Sequence, residues 1–210
     1  MITLYHSPLA CSLASKLALL ESGLPHEVEL VRTWRDEQRA PAYLAVNPAG
    51  KVPALSVDGA VVTESTAILP LIADLAPTAG LMPTKPVARA QAQAILSFLS
   101  SSLQAAFTPA MFPERYAGGA DAEAVRTAAV GRLGDALLLL EARLDGREHL
   151  AGDFSVCDLY ASVFLTWRAT PALQGRLPAT PRLDALQGRV MARPGLGAAV
   201  AQDFALRQQG

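Results

Sequence analysis

The sequence is short of everything that would mark a metalloprotein, a secreted scaffold or a nucleic-acid binder. It has only two cysteines, three histidines and 6% aromatic residues in 210. Cys11 and Cys157 form neither a C-x-x-C pair nor a cluster with histidine, so no disulfide framework is expected, and a chain of this length can bury a core without one. His6, His26 and His149 are too scattered to read as a zinc site, and no metal is expected. Charge of one sign is lacking too: 18 Lys and Arg stand against 19 Asp and Glu. No cationic face follows, which argues against nucleic acid and against anionic lipid. No apolar run approaches the ~20 residues that span a bilayer, and the N-terminus lacks the basic, apolar and cleavage segments of a secretory signal. The expectation is a cytoplasmic protein with no membrane partner.

What is present is a chain 51% hydrophobic and 18% charged, whose pattern changes character once. Strand-like runs (Ile2 to Tyr5, Glu27 to Val31) flank a helical pattern from Ser12 to Ser22 that Gly23 closes. After an irregular stretch (33–45), Val52 to Val57 and Ala60 to Thr63 are joined by Asp58-Gly59, a tight hairpin signal. A helix from Ser65 to Leu75 completes a β-α-β-α-β-β-α order. Pro77, Gly80, Pro83 and Pro86 then break the pattern, and beyond them the sequence reads as all helix. One helix runs from Val87 to about Phe107, where Thr108-Pro109 and Pro113 interrupt or bend it. Another runs from about Asp121 to Leu144. A third starts at Ser155, with Asp158 three residues on, and shorter ones are predicted from Pro181 to Met191 and Pro194 to Phe204. The division is therefore 1–76, a linker 77–86, and 87–210.

Three short stretches carry chemistry. Cys11 and Ser12 stand at the start of the first helix, where unpaired N–H groups and the helix dipole favour a thiolate and lower a cysteine pKa. Val52-Pro53 opens a strand after the turn Asn47-Pro48-Ala49-Gly50-Lys51. With a cis proline there, the Val52 backbone is free to pair with an extended peptide. Glu64-Ser65, at the start of the third helix, can hold an ammonium and a carboxylate together. Each also has a plain reading: Cys11 as a small buried hydrophobe, Ser12 and Ser65 as caps, Glu64 as a first-turn acid.

In this order the stretch Tyr5-x-Ser7-Pro8-x-Ala10-Cys11-Ser12-Leu13-Ala14, the Val52-Pro53 pair and the Glu64-Ser65 pair resemble the cytosolic glutathione transferases, and within them the bacterial beta class. The likeness covers nearly the whole chain, and Gly152-Asp153-Phe154-Ser155-x-x-Asp158 looks like the family's capping segment before a buried helix. The resemblance implies a thioredoxin-like α/β N-terminal domain followed by an all-α domain, glutathione as cosubstrate, a homodimer, and transfer of the glutathione thiolate to small hydrophobic electrophiles. Cys11 and Ser12 would then donate to the sulfur, with Tyr5 as a further candidate. Val52 and Pro53 would pair with the tripeptide, Glu64 and Ser65 would hold its γ-glutamyl end, and Arg35 or Lys51 its glycine carboxylate. The beta class commonly carries a histidine in its first long helix; here Gln104 stands in its place, an amide that donates a hydrogen bond but does not titrate. Ser101, close by, is a candidate for the same pocket. Phe107, Met111, Phe112, Tyr116 and Trp167 are candidates for the electrophile pocket, against the plain reading of aromatic residues as core. Two rival functions are a glutathione-dependent thiol–disulfide oxidoreductase or peroxidase acting through Cys11, and a non-catalytic binder of glutathione or apolar ligands.

Overall fold

Alternation along β1 (Ile2–His6) separates two faces: Leu4 and His6 are fully buried, while Tyr5 on the other face meets Tyr43 with ring centroids 5.8 Å apart. The computed structural model describes residues 1–119 and 121–208. α1 (Ser12–Ser22) has the bounds its pattern predicts and ends on Gly23, whose N–H donates to the Leu20 carbonyl. Ser12 through Leu19 are all buried, because α1 lies between the sheet and the helices that follow. β2 (His26–Leu30) then pairs parallel to β1.

Two 3₁₀ turns and α2 (Pro41–Val46) fill the stretch that reads as irregular. β3 (Ala54–Val57) pairs antiparallel to β1 and β4 (Ala60–Thr63) antiparallel to β3, giving the order β2-β1-β3-β4. Asp58 and Gly59 both take positive φ, 50° and 88°, as a two-residue type I′ turn requires. α3 (Ser65–Leu75) packs beside α1.

After Leu75 the described residues form helices, apart from isolated bridges at 149–153. α4 (Pro86–Phe98), a π-helical segment (Leu99–Gln104) and α5 (Ala105–Met111) run on as one helix. Thr108-Pro109 does not interrupt it, and the run ends at Met111, ahead of Pro113. Pro109 sits inside α5, where its missing donor costs one bond of a ladder that the π turn has already altered. This 26-residue run, with mean hydropathy 1.2 in its most apolar window, has the length to cross a bilayer, contrary to the reading of apolar runs alone. Its apolar side, Ala92, Ile95, Leu96, Leu99 and Leu103, is buried against the rest of the protein.

α6 (Glu114–Ala117) and α7 (Ala122–Arg143) follow, α7 capped by Asp121, whose carboxylate accepts from Glu123 N–H at 2.9 Å. α8 (Val156–Trp167) is the central helix, with every residue from Val156 to Leu165 buried. α9 (Pro181–Met191) has its predicted bounds, whereas α10 (Leu196–Gln208) starts after Pro194 and outlasts Phe204. One hydrophobic core joins the sheet helices α1 and α3 to α4, α7 and α8.

The start of α8 depends on Asp158. Its two oxygens accept from Leu150 N–H at 2.9 Å and Ser155 N–H at 2.8 Å, while the Ser155 hydroxyl accepts from Cys157 N–H. Asp158→Ala leaves two buried N–H groups unpaired and is expected to cost about 3 kcal/mol. Urea denaturation checks this, with Ser155→Ala, expected at about 1 kcal/mol, as the smaller comparison.

Candidate active site

A cleft of about 280 Å³ opens where the turn before β3, the start of α3 and the α4–α8 helices meet. Its size is at the lower end of the ~300–1,000 Å³ usual for small-molecule sites. The sheet side contributes Cys11, Asn47, Lys51, Val52, Pro53, Glu64 and Ser65, and the helical side Ser100, Gln104, Ala105, Thr108 and Tyr160.

The turn into β3 is built locally. Tyr43 Oη and Asn47 Nδ2 both donate to the Lys51 carbonyl at 2.6 Å, and Ala49 N–H donates to Asn47 Oδ1. Gly50 has φ 61°, and a Cβ there would come within 3.1 Å of the Gln38 carbonyl, so the turn needs glycine. The Val52–Pro53 peptide it delivers to the cleft is cis. At the other edge, Glu64 precedes α3 with φ 70°, a strained conformation for a non-glycine residue. Its carbonyl accepts from Ala67 and Ile68 N–H while its carboxylate makes no cap bond, leaving the acid on the cleft wall.

Cys11 lies at the start of α1, as expected, but its thiol is not a low-pKa one. Burial pushes it up to about 12; a hydrogen bond from its own backbone opposes this, and the Glu64 carboxylate adds to it. Only 9% of the residue is exposed, and desolvation outweighs the helix terminus. Tyr160 reaches the same space from α8: its hydroxyl donates to Gln104 Oε1 at 3.0 Å. Its pKa is also raised, by burial first and then by Cys11.

Several residues expected in the site lie elsewhere. Ser12 is fully buried and turned away from the cleft, with its Oγ bonded to His6 Nδ1 at 2.9 Å and to the backbone of Ser7. Tyr5 points to the opposite face of the sheet, into a concavity lined by Tyr43 and Val46, as strand alternation demands. Arg35 is exposed in a 3₁₀ turn and does not reach the cleft. Ser101 donates to the Ser97 carbonyl and lines another groove, with Phe98, Arg132 and Leu139. Ser100 takes its place because the π segment widens the turn, so that the residue four before Gln104 shares its face and the residue three before does not.

The aromatic candidates are not cleft residues either. Phe107 is fully buried, stacked on Phe164 at 5.8 Å and edge-on to Trp167 at 5.7 Å. Met111 packs against the core from its edge. Phe112 and Tyr116 are exposed, Phe112 under the Arg115 guanidinium. Sequence reasoning missed Asn47, Ser100, Ala105, Thr108 and Tyr160. For Ser100 and Thr108 a signal existed, their four-residue spacing on either side of Gln104; for Tyr160, inside a helix buried along most of its length, there was none.

Residues 10–75 match the family model for the glutathione S-transferase N-terminal domain. A glutathione S-transferase of Xanthomonas campestris pv. campestris is 37% identical over 168 residues, 78% of this chain and 81% of its own length. Two solved structures superpose over 96% of this chain and 98% of theirs, both at 38% identity. They are a sphingomonad glutathione S-transferase complexed with glutathione, TM-score 0.83, and a beta-class glutathione S-transferase of Sphingomonas chungbukensis, TM-score 0.81. With Cys11, the cis Val52–Pro53 peptide and Glu64-Ser65 gathered in one cleft of this fold, the chain belongs to the glutathione S-transferase family, beta-class in likeness.

Proposed function

We propose that the protein, a glutathione transferase with glutathione as cosubstrate, holds the tripeptide extended along the cleft and joins its thiolate to small hydrophobic electrophiles. The observation that carries this reading is the meeting of Lys51, Val52, Pro53, Glu64, Ser65 and Cys11 in a single cavity. The Glu64 carboxylate receives the ligand's ammonium and Ser65 its carboxylate at the start of α3. The Val52 backbone pairs with the peptide as an added strand, and Lys51 meets the glycine carboxylate. The sulfur then faces Cys11. A thiol held neutral by burial donates to a thiolate and is a poor nucleophile itself, so burial works against a thiol–disulfide role for Cys11. With its thiol proton lost to solvent, the glutathione sulfur forms a C–S bond with the electrophilic carbon, and the displaced electron pair leaves with the departing group.

On the electrophile side, Tyr160 fixes Gln104 by donating to its Oε1, which turns the Gln104 amide N–H pair toward the ligands. Gln104 and Ser100 offer neutral donors there, so an electrophile bearing a carbonyl or nitro oxygen is the expected class. We divide the chain into a glutathione-binding unit (1–76) and a helical unit (87–210), and place the protein in the cytoplasm. A homodimer would cover the exposed Leu138 and Leu139 and the adjoining groove on α4 and α7.

Calorimetry with reduced protein tests the ligand: no heat of association with glutathione at millimolar concentration would defeat the reading. Cys11→Ala then tests the role of the thiol. Retained conjugation at a reduced rate fits a donor, whereas complete loss together with a glutathione adduct on wild-type Cys11 fits covalent redox chemistry.

A further inference from the structure

The loop between β1 and α1 carries Cys11 to the cleft, and the helical unit holds both backbone groups of its middle residue. Leu9 has φ 59°, a left-handed conformation that costs a non-glycine residue about 1 kcal/mol. Its N–H donates to Asp203 Oδ2 at 3.0 Å, and its carbonyl accepts from Trp167 Nε1 at 2.7 Å. Asp203 lies on α10 and Trp167 ends α8, and neither lines the cleft. Both partners are themselves fixed. Asp203 is fully buried and also accepts from His6 Nε2 at 3.0 Å and Lys16 Nζ at 2.7 Å. The Trp167 ring meets Phe107 and Phe164 edge-on at 5.7 and 5.2 Å. A segment without regular structure, two residues from Cys11, is thus gripped between two immobile side chains of the other unit.

We infer that Asp203 and Trp167 are positioning residues for the thiol end of the glutathione site, acting through Leu9 to set where Cys11 stands against the sulfur. The inference rests on the reading that Cys11 faces that sulfur. Joining the two units would not by itself require these bonds, since the shared apolar core already does so. What the two bonds add is the placing of one loop, held on both sides of a residue that would otherwise relax from positive φ. Displacement of a reacting group by 1 Å can cost ~100-fold in rate, so releasing one of two holds is expected to cost about tenfold.

Trp167→Phe is the decisive variant. It removes the N–H donor, keeps an aromatic ring in the core and leaves every buried charge in place. Its kcat/KM for glutathione is expected to fall about tenfold at temperatures where circular dichroism shows it folded. Alkylation of Cys11 by iodoacetamide without glutathione, followed by peptide mass mapping to separate it from Cys157, is expected to speed up severalfold as the loop loosens. Asp203→Asn should move both readouts the same way. Should Asp203→Asn fail to fold, Trp167→Phe alone decides. A folded Trp167→Phe with both readouts within about twofold of wild type overturns the inference. The alkylation rate needs no glutathione, so wild-type protein that fails to bind the tripeptide would fault the reading of the site and leave this test standing.

Discussion

Glu64→Gln is expected to raise KM for glutathione about thirtyfold with little change in kcat, because it removes roughly 2 kcal/mol of charge-assisted hydrogen bonding to the ligand's ammonium. That ammonium lies far from the sulfur, so its contacts are the same in ground and transition states, and such uniform binding appears in KM alone. Glutamine keeps the length and shape of the side chain, which isolates the charge. A KM within about threefold of wild type would remove Glu64 from the site. Glu64→Gly separates function from stability further. At φ 70° glutamate carries backbone strain of order 1–3 kcal/mol that glycine does not feel. The glycine variant should therefore bind glutathione as poorly as the glutamine variant while unfolding at least as late. A strained residue that is dispensable for stability and necessary for binding is what a functional outlier should be.

Asp203→Ala is expected to be the most destabilising single change, at about 3–5 kcal/mol by urea denaturation. The alanine would leave Lys16 and His6 facing each other in the core with no counter-charge, and Leu9 N–H with no acceptor. Against total stabilities of about 5–15 kcal/mol, this is enough to unfold much of the population of a marginal protein. The effect has a pH signature. Burial works to raise the Asp203 pKa, but the bonds from His6, Lys16 and Leu9 outweigh it and hold the carboxyl below its ordinary 3.8. A folded-state pKa below the unfolded one means that the contribution is present above the unfolded value and is lost as pH falls through the folded one. The difference between wild type and Asp203→Ala should thus shrink below about pH 3.8. A difference independent of pH down to acid unfolding would mean that the carboxylate charge contributes nothing.

How far the residues spoke for themselves differs from feature to feature. α1, α3 and α9 have the bounds their patterns predict, because caps, prolines and apolar spacing act within a few residues of the ends they define. The Asp58-Gly59 hairpin is equally local. The first long helix runs past Pro109 to Met111, a few residues beyond the expected end, since a proline rule that holds for a regular ladder takes no account of an upstream π segment. The same segment moved Ser100 into the cleft in place of Ser101. Ser12 and Tyr5 were misplaced for a different reason. A hydroxyl at a helix start suggests an open site, yet the ring of His6 covers Ser12, and Tyr5 follows the pleat to the far face.

The sequence by itself determined the two-part architecture, the stretches around Cys11, Val52-Pro53 and Glu64-Ser65 that meet in the cleft, and the family, because each is written in contiguous residues whose local conformations follow from capping, turn chemistry and periodicity. Only the tertiary structure decided the burial that raises the Cys11 pKa, the bond of Tyr160 to Gln104 in the same cleft and the grip of Asp203 and Trp167 on Leu9. Desolvation and long-range hydrogen bonds are sums over segments up to two hundred residues apart, and no local pattern records which of them will meet.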